Sequence, residues 1–473
     1  MMLLFHAEWL RFLRNKINLI ILAFAFVLLS AGAILSALEA NAYRIHADEK
    51  QVEWMQYPKD EKRFIQEEAL AENEESPTAA RRAFELGRTD TPPALKPALG
   101  GLALGIQQFT NLPSDVRVSI LSRHIEGRKS DGDLISNPLL QGVGLPDFSV
   151  VLALLLPLCI IGLSYGLVQE AREQGIWRTV CAQHSAPWKI LVVALSVRFI
   201  AVVAVVIFAL ALAFFIDVGS SMSAYALFLL VLLVYCLIWI LLVGIMNLFR
   251  ISSAASALGL LSLWLFLTYV IPSGLSFGTQ MLEPSPSPTQ ALIDLRNVAI
   301  ESEEETDALI REWYAANPHD VPKTFNPYEY RLETFYISFI PRYMKQDAVI
   351  ATQMNAIDQI RGKREAMLES WAWTSPGLAL ILAANKLSGG SATQHALYID
   401  DVNSFEKQWK EFLIPKIMSA RGLRMEDIDT LPAFHATVHE AFDNVMMLLI
   451  GQLVVALVLL SLFFTYRRMF ARP

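Results

Sequence analysis

Two ionisable residues, Arg198 and Asp217, fall within or at the end of one long apolar run. Charge there is costly and is kept for ion pairing, gating or transport. Arg198 lies about eight residues into that run, close enough to its start for the side chain to snorkel toward the headgroups, so gating and simple anchoring both remain open. Pro157 interrupts a second apolar run and predicts a kink, a possible transport or gating element. His435, His439 and Glu440 have the spacing of helical metal ligands, but no second acidic or histidine cluster accompanies them, so a solvated helix face is the better reading. No G-x-x-x-x-G-K-[ST], G-x-G-x-x-G with its acid, H-E-x-x-H or G-x-S-x-G pattern occurs, which leaves no catalytic site, no metal and no ATPase site of the chain's own.

The elements that position these residues are set by composition. The 473 residues are 54% hydrophobic and 18% charged, against about 25% charged in soluble domains. The apolar residues gather in six runs: 17–38, 148–168 with Pro157 inside it, 190–216, 225–248, 254–275 and 445–464. A bilayer core selects about 20 helical residues, so each run predicts one span. Short loops on the cytoplasmic side carry the Lys/Arg excess. Segment 1–16, loop 169–189, Arg250 and the tail beyond residue 465 together hold ten positive and three negative charges, a net +7. The chain totals −7 and Arg198 cancels Asp217, so the segments on the other side carry −14. Both termini are therefore expected in the cytoplasm, and the acidic balance gives no reason to expect a nucleic-acid partner.

The expected fold is an all-α polytopic membrane protein with two mainly helical or α+β extracytoplasmic domains. The boundaries are 1–16 for an interfacial helix, 17–38 for span 1, 39–146 for the first outer domain and 147–168 for span 2. A cytoplasmic loop over 169–189, spans 3–5 over 190–275, a second outer domain over 276–444, span 6 over 445–465 and a tail over 466–473 complete it. Cys159, Cys181 and Cys236 all fall in spans or the cytoplasmic loop, and the outer segments have none. That distribution suits an oxidising outer space and points to a bacterial inner membrane.

Within the first outer segment, 48–87 is charged and helix-favouring, broken at Pro58 and Pro77, and Val116 to Ile120 alternates like a short strand. Pro284 to Pro288 forms a stiff linker into the second, where helices are expected over 289–314, 343–373 and 405–417. The stripe Phe405, Trp409, Phe412 and Leu413 is expected as a core face, with packing on the membrane surface as the alternative. Pro376 to Ala384 is apolar but half a span long, interfacial or re-entrant, near the outer end of span 5.

At the N-terminus, Phe5, Trp9, Phe12 and Leu13 recur on one side of a helix, with Glu8, Arg11 and Asn15 on the other. This is an amphipathic helix for the bilayer surface. Ala40-Asn41-Ala42 resembles a signal-peptide cleavage site, but the preceding 22-residue apolar run is too long for a signal core of about 7–15, so an uncleaved anchor is expected.

The segment Gln169-Glu170-Ala171-Arg172-Glu173-Gln174-Gly175-Ile176-Trp177-Arg178, followed by Pro187-Trp188-Lys189, resembles the loop between the second and third helices of ABC-2 type exporter permeases. There, acidic residues precede a glycine and a proline leads into the next helix. The six spans, cytoplasmic termini and N-terminal interfacial helix agree, and the two large insertions resemble a bacterial subgroup of those permeases. The resemblance implies that the loop is a coupling helix docking on a cytoplasmic ABC ATPase subunit, which holds ATP and Mg, and that a second permease copy or a related permease completes the transporter. Glu170, Arg172, Glu173 and Arg178 offer both signs of charge for a steered interface, Trp177 an anchor and Gly175 a tight turn.

Leu387-Ser388-Gly389-Gly390 matches the start of the ABC ATPase signature but lacks its phosphate loop and lies on the outer side, so a glycine-ended helix C-cap is expected. The implied function is export of a hydrophobic or amphipathic substrate. Two alternatives stand beside it: a mechanotransmission subunit working a periplasmic partner without moving cargo, and a membrane receptor or assembly factor that needs no ATP.

Overall fold

The computed structural model describes residues 2–67, 77–89, 91–121, 147–183, 186–329, 331–438 and 442–470. Helix α1 (Met2–Arg14) ends at Asn15, whose side-chain oxygen accepts from the Ile17 amide (3.0 Å) and so opens α2 (Lys16–Glu67). Six helices are long and apolar enough to cross a membrane, and the chain is a multi-pass membrane protein on that ground.

The first span does not stop at residue 38. α2 runs for 52 residues, through the small residues at 40–42 and through Pro58, where a break was expected. An interior proline removes one backbone hydrogen bond, too little to end a helix that Trp54 and Tyr57, just before it, pin into a core. Asn41, in the stretch that resembles a cleavage site, bridges to α8 (Trp188–Ile216), donating to the Ile216 carbonyl and accepting from the Val218 amide (3.0 Å). Pro77 is the first residue of α3 (Pro77–Thr89); the residues before it, 68–76, where its expected break falls, lie outside the described residues.

Strand content among the described residues is one antiparallel two-stranded pair, β1 (Ala94–Leu95) with β2 (Asp115–Val116), in register Ala94 to Val116. The expected strand over 116–120 pairs only at its first residue. Two of its remaining backbone groups find other partners: the Thr91 hydroxyl donates to the Val118 carbonyl (2.6 Å), and the Gly87 carbonyl accepts from the Ile120 amide. Short α4 (Ile106–Asn111) follows.

Span 2, α5 (Phe148–Ser164), ends four residues earlier than its apolar run, in a turn at 165–168. Two short helices follow, α6 (Gln169–Glu173) and α7 (Ile176–Gln183), before α8. α9 (Met222–Leu248) is span 4. Span 5 is α10 (Ser253–Leu265), a π-helical turn at Phe266–Val270, and α11 (Ile271–Leu282).

Beyond it lie α12 (Pro288–Glu304), α13 (Thr306–Ala316), the 36-residue α14 (Phe335–Ser370), α15 (Pro376–Ser388), α16 (Ala392–Met418) and α17 (Met425–Ile428). Span 6 is α18 (Phe442–Phe470).

The spans share one core, in which Trp239, Phe228 and Tyr235 of α9 are fully buried. The half-span α15 is part of that core. Its Ala379, Leu380, Ala383 and Ala384 are buried, it packs on α5, α9 and α18, and Ser375 donates to the Leu267 carbonyl of the π turn (2.6 Å). The π turn exposes that carbonyl, so the sequence break and the hydroxyl fit each other. α15 ends at Gly389 in the left-handed region (φ 86°), with the Gly389 and Gly390 amides donating to the Asn385 carbonyl. The Leu387 to Gly390 match is therefore a helix C-cap.

A second core joins the two insertions, which were expected as separate domains. Trp54 and Tyr57 of α2, Phe84 of α3 and Ile120 meet Tyr336, Ile340, Phe405, Trp409 and Leu413 in one cluster. The aromatic stripe of α16 is its centre, with Trp409 fully buried.

Candidate functional site

The segment between spans 2 and 3 forms two short helices that turn about Gly175, whose φ of 74° suits glycine alone without strain. A Cβ there would meet no atom within 4 Å, so the constraint is the backbone and not crowding. Glu170, Ile176 and Arg178 are exposed, Glu170 and Ile176 at the rim of a cavity, whereas Trp177 is half-buried against the span core with the Arg172 guanidinium 5.8 Å from its ring.

Arg172 and Glu173, expected as outward docking charges, are committed within the chain instead. Arg172 donates to the Phe249 carbonyl (2.7 Å), and the Glu173 carboxylate accepts from the Ser253 amide (2.7 Å) and hydroxyl (3.0 Å). A carboxylate at the N-terminus of α10 satisfies orphan amides and meets the positive end of the helix dipole, while Ser252 caps the same helix by accepting from the Ala255 amide (3.2 Å). Buried Gln169 donates to the Met246 carbonyl (3.2 Å).

Asn247, one residue before the end of α9, was not singled out by any motif or spacing. It is fully buried, and its amide donates to the carbonyls of Ser164 (3.0 Å) and Val243 (2.9 Å) and accepts from the Val168 amide (3.2 Å). It therefore closes the end of α5 where that helix stops. Ser256 of α10 completes the join by donating to the Tyr165 carbonyl (2.9 Å). The signal was present in the sequence, as an amide inside an apolar run, where polar groups need partners. Spans 2, 4 and 5 are thus stapled together directly under α6.

Arg198 does not snorkel. Ten residues into α8, or about 15 Å at 1.5 Å per residue, it is buried and donates to the carbonyls of Leu163 and Ala194 (2.8 Å each) and to Glu8 (3.2 Å). Its guanidinium sits 5.5 Å from the Phe12 ring. Glu8 accordingly belongs to the buried side of α1, not to the polar face expected for it, and Leu13 is the exposed residue. The pattern of apolar residues misassigned Glu8 because its partner lies on another span. Phe12 is buried, and Phe5 and Trp9 pack partly on the same core, so α1 is docked on the bundle as well as amphipathic. Pro157 is a buried interior residue of α5.

At the opposite end of the spans, Asp217 forms a two-pronged pair with Arg44 of α2 (2.7 and 3.3 Å), and Arg44 also donates to the Leu99 carbonyl (2.7 Å). Nearby Lys96 is buried, with its amine 4.4 Å from the Phe109 ring centre and no hydrogen bond among the described residues. Burial pushes that amine down to about 7, against the opposing pull of the Glu365 carboxylate. Asp147 accepts from the amides of Gln107 (2.7 Å) and Gln108 (3.1 Å), and burial pushes its carboxyl up to about 6.

His439 and Glu440 lie outside the described residues, and so does the end of the tail beyond residue 470. Among the described residues, no group of three or more His, Cys, Asp or Glu is placed to hold a metal.

Residues 289–437 match a family model described as a domain of unknown function, DUF3526. The match lies wholly within the second insertion, from α12 to just beyond α17, and includes none of the six spans. No curated protein and no solved structure is matched by the chain.

Proposed function

We propose that this chain is the membrane-spanning permease subunit of a bacterial ABC exporter in the inner membrane, both termini cytoplasmic, driven by a separate ATPase subunit that holds ATP and Mg. The carrying observation is the stapling of α6 to three spans. Gln169, Arg172 and Glu173 bind the connection between α9 and α10, and Asn247 binds the broken end of α5. A force applied to α6 and α7 therefore reaches spans 2, 4 and 5 through short bonds instead of dissipating in a loose loop. Glu170, Ile176 and Arg178 supply the outward surface for the ATPase, with Gly175 setting the angle between the helices. A second permease copy or a related permease completes the assembly in the bilayer, and the cargo is a hydrophobic or amphipathic molecule.

The test is co-purification of the full chain with its candidate ATPase. Reversal of the outward charges, Glu170→Arg with Arg178→Glu, is expected to abolish the complex while leaving the melting temperature of the chain unchanged. A complex that forms normally with the double variant sinks the coupling assignment.

One observation favours a second reading, mechanotransmission to a periplasmic partner. α2 is a single helix of 52 residues, about 78 Å long at 1.5 Å per residue, that begins beside α1 and brings Trp54 and Tyr57 into the joint core of the insertions. Such a rod carries movement from one end of the spans to the other side. Reconstituted vesicles separate the two: ATP-dependent movement of cargo supports export, and its absence with retained movement of the insertions supports mechanotransmission.

A further inference from the structure

Where α1, the start of α2, the end of α5, the paired helices α6 and α7, and the start of α8 converge, they enclose a cavity of about 380 Å³. Its depth is fixed by the spans themselves. α2 begins at Lys16, α5 ends at Ser164 and α8 begins at Trp188, so the cavity sits at one membrane–water boundary.

Its lining is of two kinds. Arg11 and Glu8 of α1, Arg198 of α8 and Glu170 of α6 bring two guanidinium and two carboxylate groups, and Ser164 adds a buried hydroxyl that makes no hydrogen bond among the described residues. Ile17, Leu167, Ile176, Val180 and Ile190 supply apolar wall. Glu8 lies between the two arginines, 3.2 Å from Arg198 and 3.6 Å from Arg11. That triplet keeps one net positive charge, held in place by the Leu163 and Ala194 carbonyls, while Glu170 keeps the negative charge on the facing helix. A ligand suited to this lining has an anionic and a cationic group close together, an apolar extension, and a reason to be at the membrane boundary.

We propose that the cavity binds the headgroup of a zwitterionic, amine-bearing phospholipid, its phosphate toward Arg11 and Arg198 and its ammonium toward Glu170. Charge-assisted bonds to phosphate are the strong ones available to a guanidinium, and a cavity of this size falls within the range of small-molecule sites, about 300–1,000 Å³. The bound lipid would wedge between α1 and the α6–α7 pair and so set how firmly the two move together. This inference needs the multi-pass arrangement only, not the coupling role.

The experiment is native mass spectrometry of the full chain, alone in detergent, titrated with phosphatidylethanolamine, phosphatidylglycerol and free phosphoethanolamine. Wild type is expected to retain phosphatidylethanolamine at least fivefold better than phosphatidylglycerol, with free phosphoethanolamine a weak competitor. Arg11→Gln, whose side chain is largely exposed and whose loss spares the fold, is expected to lower retention of both lipids about tenfold. Glu170→Gln is expected to remove the preference between them while retaining binding. Ala171→Trp, which fills the cavity, is expected to release lipid with the chain still folded by its melting curve. Equal retention by wild type and Arg11→Gln, or no lipid preference in wild type, overturns the proposal. So does competition by free phosphoethanolamine as strong as that of the lipid, which would make the ligand a soluble phosphate compound. Because no ATPase is present, failure here leaves the permease reading untouched, and failure of that reading leaves this one standing.

Discussion

Glu8 and Arg198 are 190 residues apart in sequence and 3.2 Å apart in space, and this ion pair fastens the amphipathic α1 to the third span. Their side chains are only 11% and 7% exposed, so little water reaches either charge. Removing one partner of a buried pair costs about 3–5 kcal/mol because it leaves the other charge uncompensated, whereas removing both is often nearly neutral. Glu8→Ala is therefore expected to lower the melting temperature sharply in detergent, and Glu8→Leu with Arg198→Met to recover more than half of that loss. A Glu8→Ala variant that melts with wild type would show that the pair holds nothing.

Glu173 and Glu170 are three residues apart on one short helix, yet the structure gives them opposite duties. Glu173→Ala removes two bonds to Ser253 at the N-terminus of α10, and loss of a helix cap costs about 1 kcal/mol. Under the proposed coupling role, that variant is expected to keep its ATPase bound but lose stimulation of hydrolysis by the permease. Glu170→Arg is expected to do the reverse, sparing stability and losing the complex. Pull-down and ATPase assays on the two variants, side by side, check the division; identical behaviour contradicts it.

The spans were legible because a bilayer demands unbroken apolar runs of a fixed length, and the six runs fall inside six observed helices apart from the turn at 165–168. The Gly175 turn and the Gly389 cap were legible because glycine at positive φ is a local requirement. What escaped was long-range. The joint core of the insertions brings Trp54 onto Phe405, ring centroids 5.4 Å apart, and no local pattern encodes that contact. Glu8 was misplaced for the same reason, since helical periodicity cannot reveal that a carboxylate faces an arginine on another span. Arg172 and Glu173 looked like docking charges because sequence gives their sign and spacing but not which side of α6 the α9–α10 connection occupies. The run through Pro58 escaped because a proline was weighed as a breaker without the packing of Trp54 and Tyr57 just before it.

Gly175 offers a test free of packing effects, because a Cβ there meets nothing within 4 Å. Gly175→Ala should cost only the left-handed backbone penalty, about 1–2 kcal/mol, and Gly175→Asn clearly less, since asparagine tolerates that conformation. Thermal unfolding ranks the three proteins. A larger loss for asparagine than for alanine would mean that the turn carries a constraint other than its φ angle.

Lys96 makes stability depend on pH in a direction that its burial fixes. The folded amine titrates near 7 and the unfolded one near 10.5, so between these values the unfolded chain holds a proton that the folded chain has released. Stability therefore climbs as pH rises through that window and levels off above it, and below pH 7 the full cost of charging a buried amine is present. At about 1.4 kcal/mol per pH unit, the whole window is worth on the order of 5 kcal/mol. The groups that face the amine limit this figure: Glu365 favours the charged form, Arg361 opposes it, and the Phe109 ring offers a cation–π contact. Lys96→Met removes the titrating group and keeps an apolar side chain of similar reach. Melting temperatures of wild type relative to Lys96→Met are expected to rise between pH 7 and pH 9.5, and Lys96→Met is expected to be the more stable of the two at pH 6. Parallel pH curves for the two proteins would mean that Lys96 keeps its charge in the folded state, held by Glu365.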